Sequence, residues 1–256
     1  MKKIIIGTGV FLALLAGSQI QAQDAKEIAY KVYSRNAPKN GESDMSMTLI
    51  NKKGSERVRN LHQYFIDLGE TEKQIMFFTS PADVKNTSFM NWSYDDAAKD
   101  DDQWLYLPAL MKVKRISSSS KDNDFMGSDF TYEDMEKRSP EKDNHKFIKS
   151  EIFNGEDVWV VEASPKEEEQ YSKRKVWISK TKLLPVKVEF YDEDAALLKA
   201  LSVTETTQIN GYWIVVKQVM KNVQKNHQTV ILLANIKVEN GTTEEKFTQR
   251  EMERGL

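Results

Sequence analysis

The sequence predicts a mainly β (α+β) fold: an antiparallel meander of about eleven strands behind a single N-terminal helix. Three observations predict it. From Met45 onward, apolar and polar residues alternate with a period of two, in runs of strand length. Short turn signals separate the runs, among them Asn154-Gly155, Asn210-Gly211 and Asn240-Gly241, which favour hairpins. Several runs, such as residues 104–107 and 230–234, are apolar on both faces, so their strands are covered on both sides. One sheet curled around a helix or a cavity meets that requirement.

The chain opens with Lys2 and Lys3, then residues 4–15, which carry no charge, then Gly17, Ser18 and Ile20-Gln21-Ala22. This is the layout of a secretory signal peptide cleaved after Ala22. The apolar run is too short for the ~20 residues of a bilayer span. The chain has no cysteine. It therefore offers no thiol for lipidation, forms no disulfide, and must draw its stability from a core. Cleaving 22 of the 256 residues leaves 234, a single domain spanning residues 23–256, and takes the formal charge from −2 to −4. The 37 basic and 39 acidic residues are interspersed, without the basic face that nucleic-acid binding requires.

The elements follow in order. Asp24 caps a helix with Glu27 three positions on, and Ile28, Ala29, Val32 and Tyr33 share one face of it. Asn36, Pro38 and Gly41 end it. Strands are expected around Met45–Met47–Leu49, Tyr64–Ile66–Leu68, Ile75, Met90–Trp92–Tyr94 and Trp104–Tyr106. Further strands are expected around Ile148, Trp159, Val176, Val186 and Phe190, and in residues 197–204, 212–223 and 229–238. Pro81 begins a single helical turn. Residues 108–140 interrupt the meander with a serine run and a helix starting at Ser128 or Asp129; an insertion of this length is often functional. Residues 243–254 form a short closing helix anchored by Phe247.

Catalytic signatures are lacking. His62, His145 and His227 are scattered and match no ligand spacing, and no serine-hydrolase, zinc-protease or phosphate-loop motif occurs. Acid clusters such as Asp95-Asp96 and residues 100–102 flank an expected hairpin tip, where solvated charge is ordinary. The sequence thus predicts no enzyme, no metal and no cofactor.

Aromatic and methionine residues concentrate in residues 89–135. Such side chains line adaptable apolar pockets. Within this block, Asp101-Asp102-Gln103-Trp104-Leu105-Tyr106-Leu107-Pro108-Ala109-Leu110 is followed by Lys112-Val113-Lys114-Arg115-Ile116. Phe125-Met126-Gly127-Ser128-Asp129-Phe130 and Thr131-Tyr132-Glu133-Asp134 come next, with Thr87-Ser88-Phe89 upstream. These segments resemble the outer-membrane lipoprotein-sorting proteins, a branch of the LolA/LolB-like superfamily, and the similarity extends over nearly the whole mature chain. The resemblance implies a half-barrel: a single curved, unclosed antiparallel sheet of about eleven strands with helices covering its concave face.

It also implies a role, that of a non-enzymatic periplasmic carrier or chaperone. Such a carrier binds lipid or the acyl chains of lipoproteins for transfer between inner and outer membrane. In that reading Trp92, Tyr94, Trp104, Tyr106 and Leu107 form the cavity wall. Ile28, Val32, Tyr33, Phe125, Met126 and Phe130 form the lid, and Lys112, Lys114 and Arg115 meet headgroups or a partner. The protein is expected to be a monomer that touches the membrane transiently. Two rival readings are an accessory subunit of an inner-membrane transporter of the resistance-nodulation-division type, and an enzyme using Asp129, Glu133 and Asp134.

Overall fold

The computed structural model describes residues 16–256, with side chains from Ala25 onward. Residues 1–15, the body of the expected signal peptide, lie outside the described residues. Helix α1 spans Ala16–Tyr33. It runs through Asp24, which therefore does not cap it: residues 16–23 hold no proline to stop a helix.

Thirteen strands follow among the described residues. The first six are β1 (Asn40–Ile50), β2 (Glu56–Asp67), β3 (Thr71–Ser80), β4 (Ser88–Tyr94), β5 (Asp102–Leu107) and β6 (Lys112–Ile116). The next four are β7 (Asp143–Phe153), β8 (Glu156–Pro165), β9 (Lys173–Ser179) and β10 (Pro185–Tyr191). The last are β11 (Leu197–Ile209), β12 (Tyr212–Asn222) and β13 (His227–Val238), before a short helix α2 (Gln249–Arg254). The expected count of about eleven falls short of thirteen, and β6 is the strand for which no expected segment is named. Its sequence, Lys-Val-Lys-Arg-Ile, reads as a charged tail to β5, yet it pairs with β5 from Gln103–Ile116 to Leu107–Lys112.

All strands belong to one antiparallel sheet in the order β6-β5-β4-β3-β2-β1-β13-β12-β11-β10-β9-β8-β7. The β1–β13 pairing joins the two halves, so the meander is a ring cut at one place. The cut lies between β6 and β7, neighbours in sequence but opposite rims of the sheet. Lysines on both rims, Lys112 and Lys114 on one and Lys146 and Lys149 on the other, discourage pairing with another edge. Asn154 (φ 50°) and Gly155 (φ 81°) take the left-handed pair that a two-residue hairpin needs. At Gly41 a Cβ would stand 2.5 Å from Lys237 O, so no larger residue fits where β1 meets β13.

Alternation assigns the faces. Met76 and Phe78 point into the main core with Phe89, Met220 and Ile231, while Ile75 and Phe77 point the other way. The chain from β6 to β7, residues 117–142, crosses the inner face. The expected helix at Ser128 or Asp129 is absent there. Single 3₁₀ turns at Ser118–Ser120, Phe125–Gly127, Glu133–Met135 and Pro140–Lys142 replace it. The reasons are local. Met126 (φ 51°) and Gly127 (φ 73°) are left-handed, Ser128 Oγ donates to Phe125 O (2.7 Å), and the Asp129 carboxylate is taken by Thr229 Oγ1 (2.6 Å). Phe125 is fully buried, edge-on to Phe89 and Tyr132. The insertion is thus part of the core.

Helix α1 covers the inner face at the β7–β9 side, where Ala25 and Ile28 pack on Val161 and Ile178. Burying a side chain the size of Ile28 is worth roughly 1.5–3 kcal/mol. Helix α2 packs on the outer face. Phe247 and Met252 are fully buried against Met90, Trp92 and Trp104, and Ser88 Oγ donates to Met252 O (3.0 Å).

Candidate functional site

Beneath α1 the inner face holds a cavity of about 380 Å³. Its floor comes from residues in phase on successive strands: Val161 and Ala163 of β8, Val176 and Ile178 of β9, Val188 and Phe190 of β10. Ala29, Val32 and Tyr33 of α1 form its roof and Phe130 of the insertion one side. Strand alternation explains the continuity: period-two apolar residues in adjacent strands line one face.

One end of the cavity is charged. Arg138 donates twice to Asp143, through Nε (2.8 Å) and Nη2 (2.7 Å), and also to Glu169 (3.0 Å). Arg174 pairs with Glu133 (2.5 Å) and stands 3.6 Å from Glu169. Beside this network the Lys199 ammonium, almost wholly buried, donates to Asp134 Oδ2 (2.5 Å) and Asp129 O (3.1 Å). It lies over the Tyr171 and Phe190 rings. Burial pushes the Tyr171 hydroxyl far above its ordinary range. Lys121 pairs with Glu136 at 2.6 Å, both nearly buried. Burial pushes the Glu136 carboxyl up to about 7 against the pull of that lysine.

These charges partition two spaces. Beyond the network lies an open groove of about 1,050 Å³ carrying Asp122, Glu167, Glu168, Asp192 and Glu193. Glu133, Glu136 and Arg138 line both spaces. A chamber with an apolar floor and one polar wall facing an open groove suits a ligand with an apolar chain and a hydrogen-bonding end.

Helix α1 is held over the chamber by polar bonds at its margin. Lys26 and Tyr30 both reach Glu141, and Tyr33 Oη donates to Asp95 Oδ1 (2.5 Å) in the β4–β5 turn. The helix thus rests on the β7 side and is tied to a turn beside the opposite rim. Burial, with Asp95 adding to it, raises the Tyr33 hydroxyl well above its usual value.

The residues expected from sequence fall in several places. Of the residues expected to form a lid, Val32, Tyr33 and Phe130 line the cavity, and Ile28 packs α1 to the sheet. Phe125 and Met126 lie in or against the main core. The expected wall is displaced. Trp92, Trp104 and Tyr106 pack with the α2 side, and Tyr94 shares their strand parity, so all four face outward. The physical reason is parity: Phe89, Asn91, Gln103 and Leu105 hold the inward positions of β4 and β5, and Gln103 Nε2 donates to Tyr132 O of the insertion (2.8 Å). Leu107 has inward parity but lies at the far rim from the cavity. Lys112 and Lys114 are exposed on β6, and Arg115 pairs with Asp102.

Asp129, Glu133 and Asp134 each face a partner: His227 at 2.7 Å, Arg174 and Lys199 respectively. They hold the insertion to the sheet. Sequence reasoning missed Arg174, Lys199, Asp143 and His145. A signal was present for two of them: Arg174 is in phase with Val176 and Ile178, and Lys199 with Leu201. Among the described residues no cluster of three or more metal-ligating side chains occurs, and no helix is long and apolar enough to cross a membrane.

The comparisons with known proteins agree with this architecture. A family model described as "-like: Uncharacterized protein" matches residues 70–254. A solved domain from Vibrio parahaemolyticus, described as an outer membrane lipoprotein-sorting protein domain, is 36% identical, with 91% of this chain and 100% of that chain covered at TM-score 0.86. A DUF1329 family protein from Desulfovibrio piger is 28% identical, covering 91% and 99% of the two chains, also at TM-score 0.86. A LolA superfamily protein from Nitrosomonas europaea shares the fold at 18% identity and TM-score 0.66, covering 90% of this chain and 99% of that one. No curated protein matches the sequence. With its ring-like meander cut at one place and the insertion folded across the inner face, the chain belongs to the outer membrane lipoprotein-sorting (DUF1329) family and has a LolA-like fold.

Proposed function

We propose that this protein is a periplasmic carrier that shelters an acyl chain of a lipid or lipoprotein in the inner-face cavity and moves it between the inner and outer membranes. The cavity carries the reading: an apolar floor under a helix tied down by side-chain bonds at its margin. Each methylene withdrawn from water is worth ~0.8 kcal/mol, so a 12-carbon chain gains roughly 10 kcal/mol on entry. A volume of about 380 Å³ lies near the lower end of the ~300–1,000 Å³ of pockets that enclose one small ligand. A space of this size holds one chain, and larger cargo requires α1 to lift. The signal-peptide pattern at the N-terminus supports the compartment.

Ala163→Phe on the floor and Ala29→Trp on the roof fill the chamber from opposite sides. Each is expected to weaken binding of a fluorescent dodecyl probe at least tenfold while circular dichroism stays native. Unchanged binding in both variants would place the chain elsewhere.

Membrane contact belongs to the β5–β6 hairpin tip. Leu110 and Met111 are 48% and 80% exposed there, beside Lys112 and Lys114. An apolar tip flanked by lysines suits an anionic bilayer surface. Met111→Asp with Lys112→Glu should reduce co-sedimentation with phosphatidylglycerol vesicles severalfold. Undiminished sedimentation would remove this surface from the account and favour docking on a protein partner.

A further inference from the structure

Three buried polar atoms of cavity-lining residues make no hydrogen bond among the described residues: Glu136 Oε1, which has the Lys121 ammonium 2.6 Å away, and Arg174 Nη1 and His145 Nδ1, which have no counter-group that close. Arg174 is about nine-tenths buried, and the oxygen paired with its Nη1, Asp143 Oδ1, is 3.9 Å away. His145 Nε2 lies 2.9 Å from Pro140 O, an acceptor, so Nε2 carries the hydrogen and Nδ1 offers a lone pair. The chamber thus presents one unused donor and one unused acceptor. Buried polar groups left unpaired are costly and rare, and their pairing by a ligand is a source of selectivity.

The register sets them side by side. His145 of β7 pairs with Ala163 of β8, which pairs with Arg174 of β9. All three line the cavity on one cross-strand row, with the small Ala163 leaving open the space between the larger two. Strand spacing separates the two outer backbones by roughly 10 Å. Charge narrows the ligand further. Glu133, Asp143 and Glu169 surround Arg138 and Arg174, three carboxylates to two guanidiniums, so a further anion is repelled. A neutral group is favoured.

We propose that the cavity selects an acyl chain joined to its head through a secondary amide, whose carbonyl accepts from Arg174 Nη1 and whose N–H donates to His145 Nδ1. This rests on the carrier reading. An ester fills the donor but leaves His145 unpaired, and a fatty acid brings a charge that the carboxylates oppose.

The test is calorimetric titration of the mature protein with N-methyldodecanamide, methyl dodecanoate and dodecanoate, which share one apolar chain. The amide is expected to bind about tenfold or more tightly than either. His145→Phe, with its melting temperature checked, should bring the amide down to the ester's affinity and leave the ester unchanged. Equal binding of amide and ester, or tightest binding of dodecanoate, would overturn the proposal while leaving the carrier reading standing. If none of the three binds, both fail together. N-dodecanoyl tripeptide amide against N-dodecanoylethanolamine then separates an acylated polypeptide from an amide-linked lipid.

Discussion

Lys199 occupies a strand position in phase with Leu201, where an apolar residue is the usual choice. Its charge is matched by Asp134 and its stem by the rings of Tyr171 and Phe190. Removing one partner of such a buried pair costs far more than the pair contributes. Arg174 follows the same pattern on β9. Both were legible as charges in an apolar phase, but their partners were not, because Asp134 and Glu133 come from an irregular segment whose path no periodicity encodes. Glu136 is one source of pH dependence. Its carboxyl has an ordinary value of 4.5 and is raised by burial to about 7. The folded state therefore holds a proton that the unfolded chain has lost between those values, and this contribution fades as pH rises from about 4.5 through 7. It amounts to roughly 3 kcal/mol at ~1.36 kcal/mol per unit. Glu136→Gln should flatten the fall of the urea midpoint over that window; an unaltered slope would assign the dependence to other groups.

At the scale of elements, strands and hairpins were readable because period two and Asn-Gly turns act locally. Parity was harder. Trp92, Tyr94, Trp104 and Tyr106 look like a ligand wall, yet the inward register belongs to Phe89 and Gln103, and α2 covers the aromatics from outside. Only the tertiary placement of Phe247 and Met252 decides between the two faces of a strand apolar on both. Helix α1 is the element that the proposed carrier would have to move, and Tyr33–Asp95 is its link to the turn beside the opposite rim. Tyr33→Phe should speed amide hydrogen exchange in the last turns of α1 without altering exchange in β1–β3. Identical exchange would show that apolar packing by Ala25 and Ile28 alone holds the helix closed.

At the scale of the molecule, one cut in a ring of strands produces a concave face, and the chain spanning the cut covers part of it. A closed ring of this many strands would enclose a fixed lumen. The open form lets one side be roofed by α1 and filled by Phe125, Phe130 and Tyr132, leaving a chamber along β7–β12. The curved sheet was readable from strands apolar on both faces, whereas the chamber's position depends on where the insertion fills the concavity. The proposed cargo of this chamber is an acyl chain. Native mass spectrometry of the mature protein isolated from periplasm without detergent, with solvent extraction of anything bound, tests for it. A stoichiometric added mass that extracts as an acyl-bearing amphiphile and is lost in Ala163→Phe is expected. A bare polypeptide mass, unchanged after incubation with envelope lipids, would contradict it.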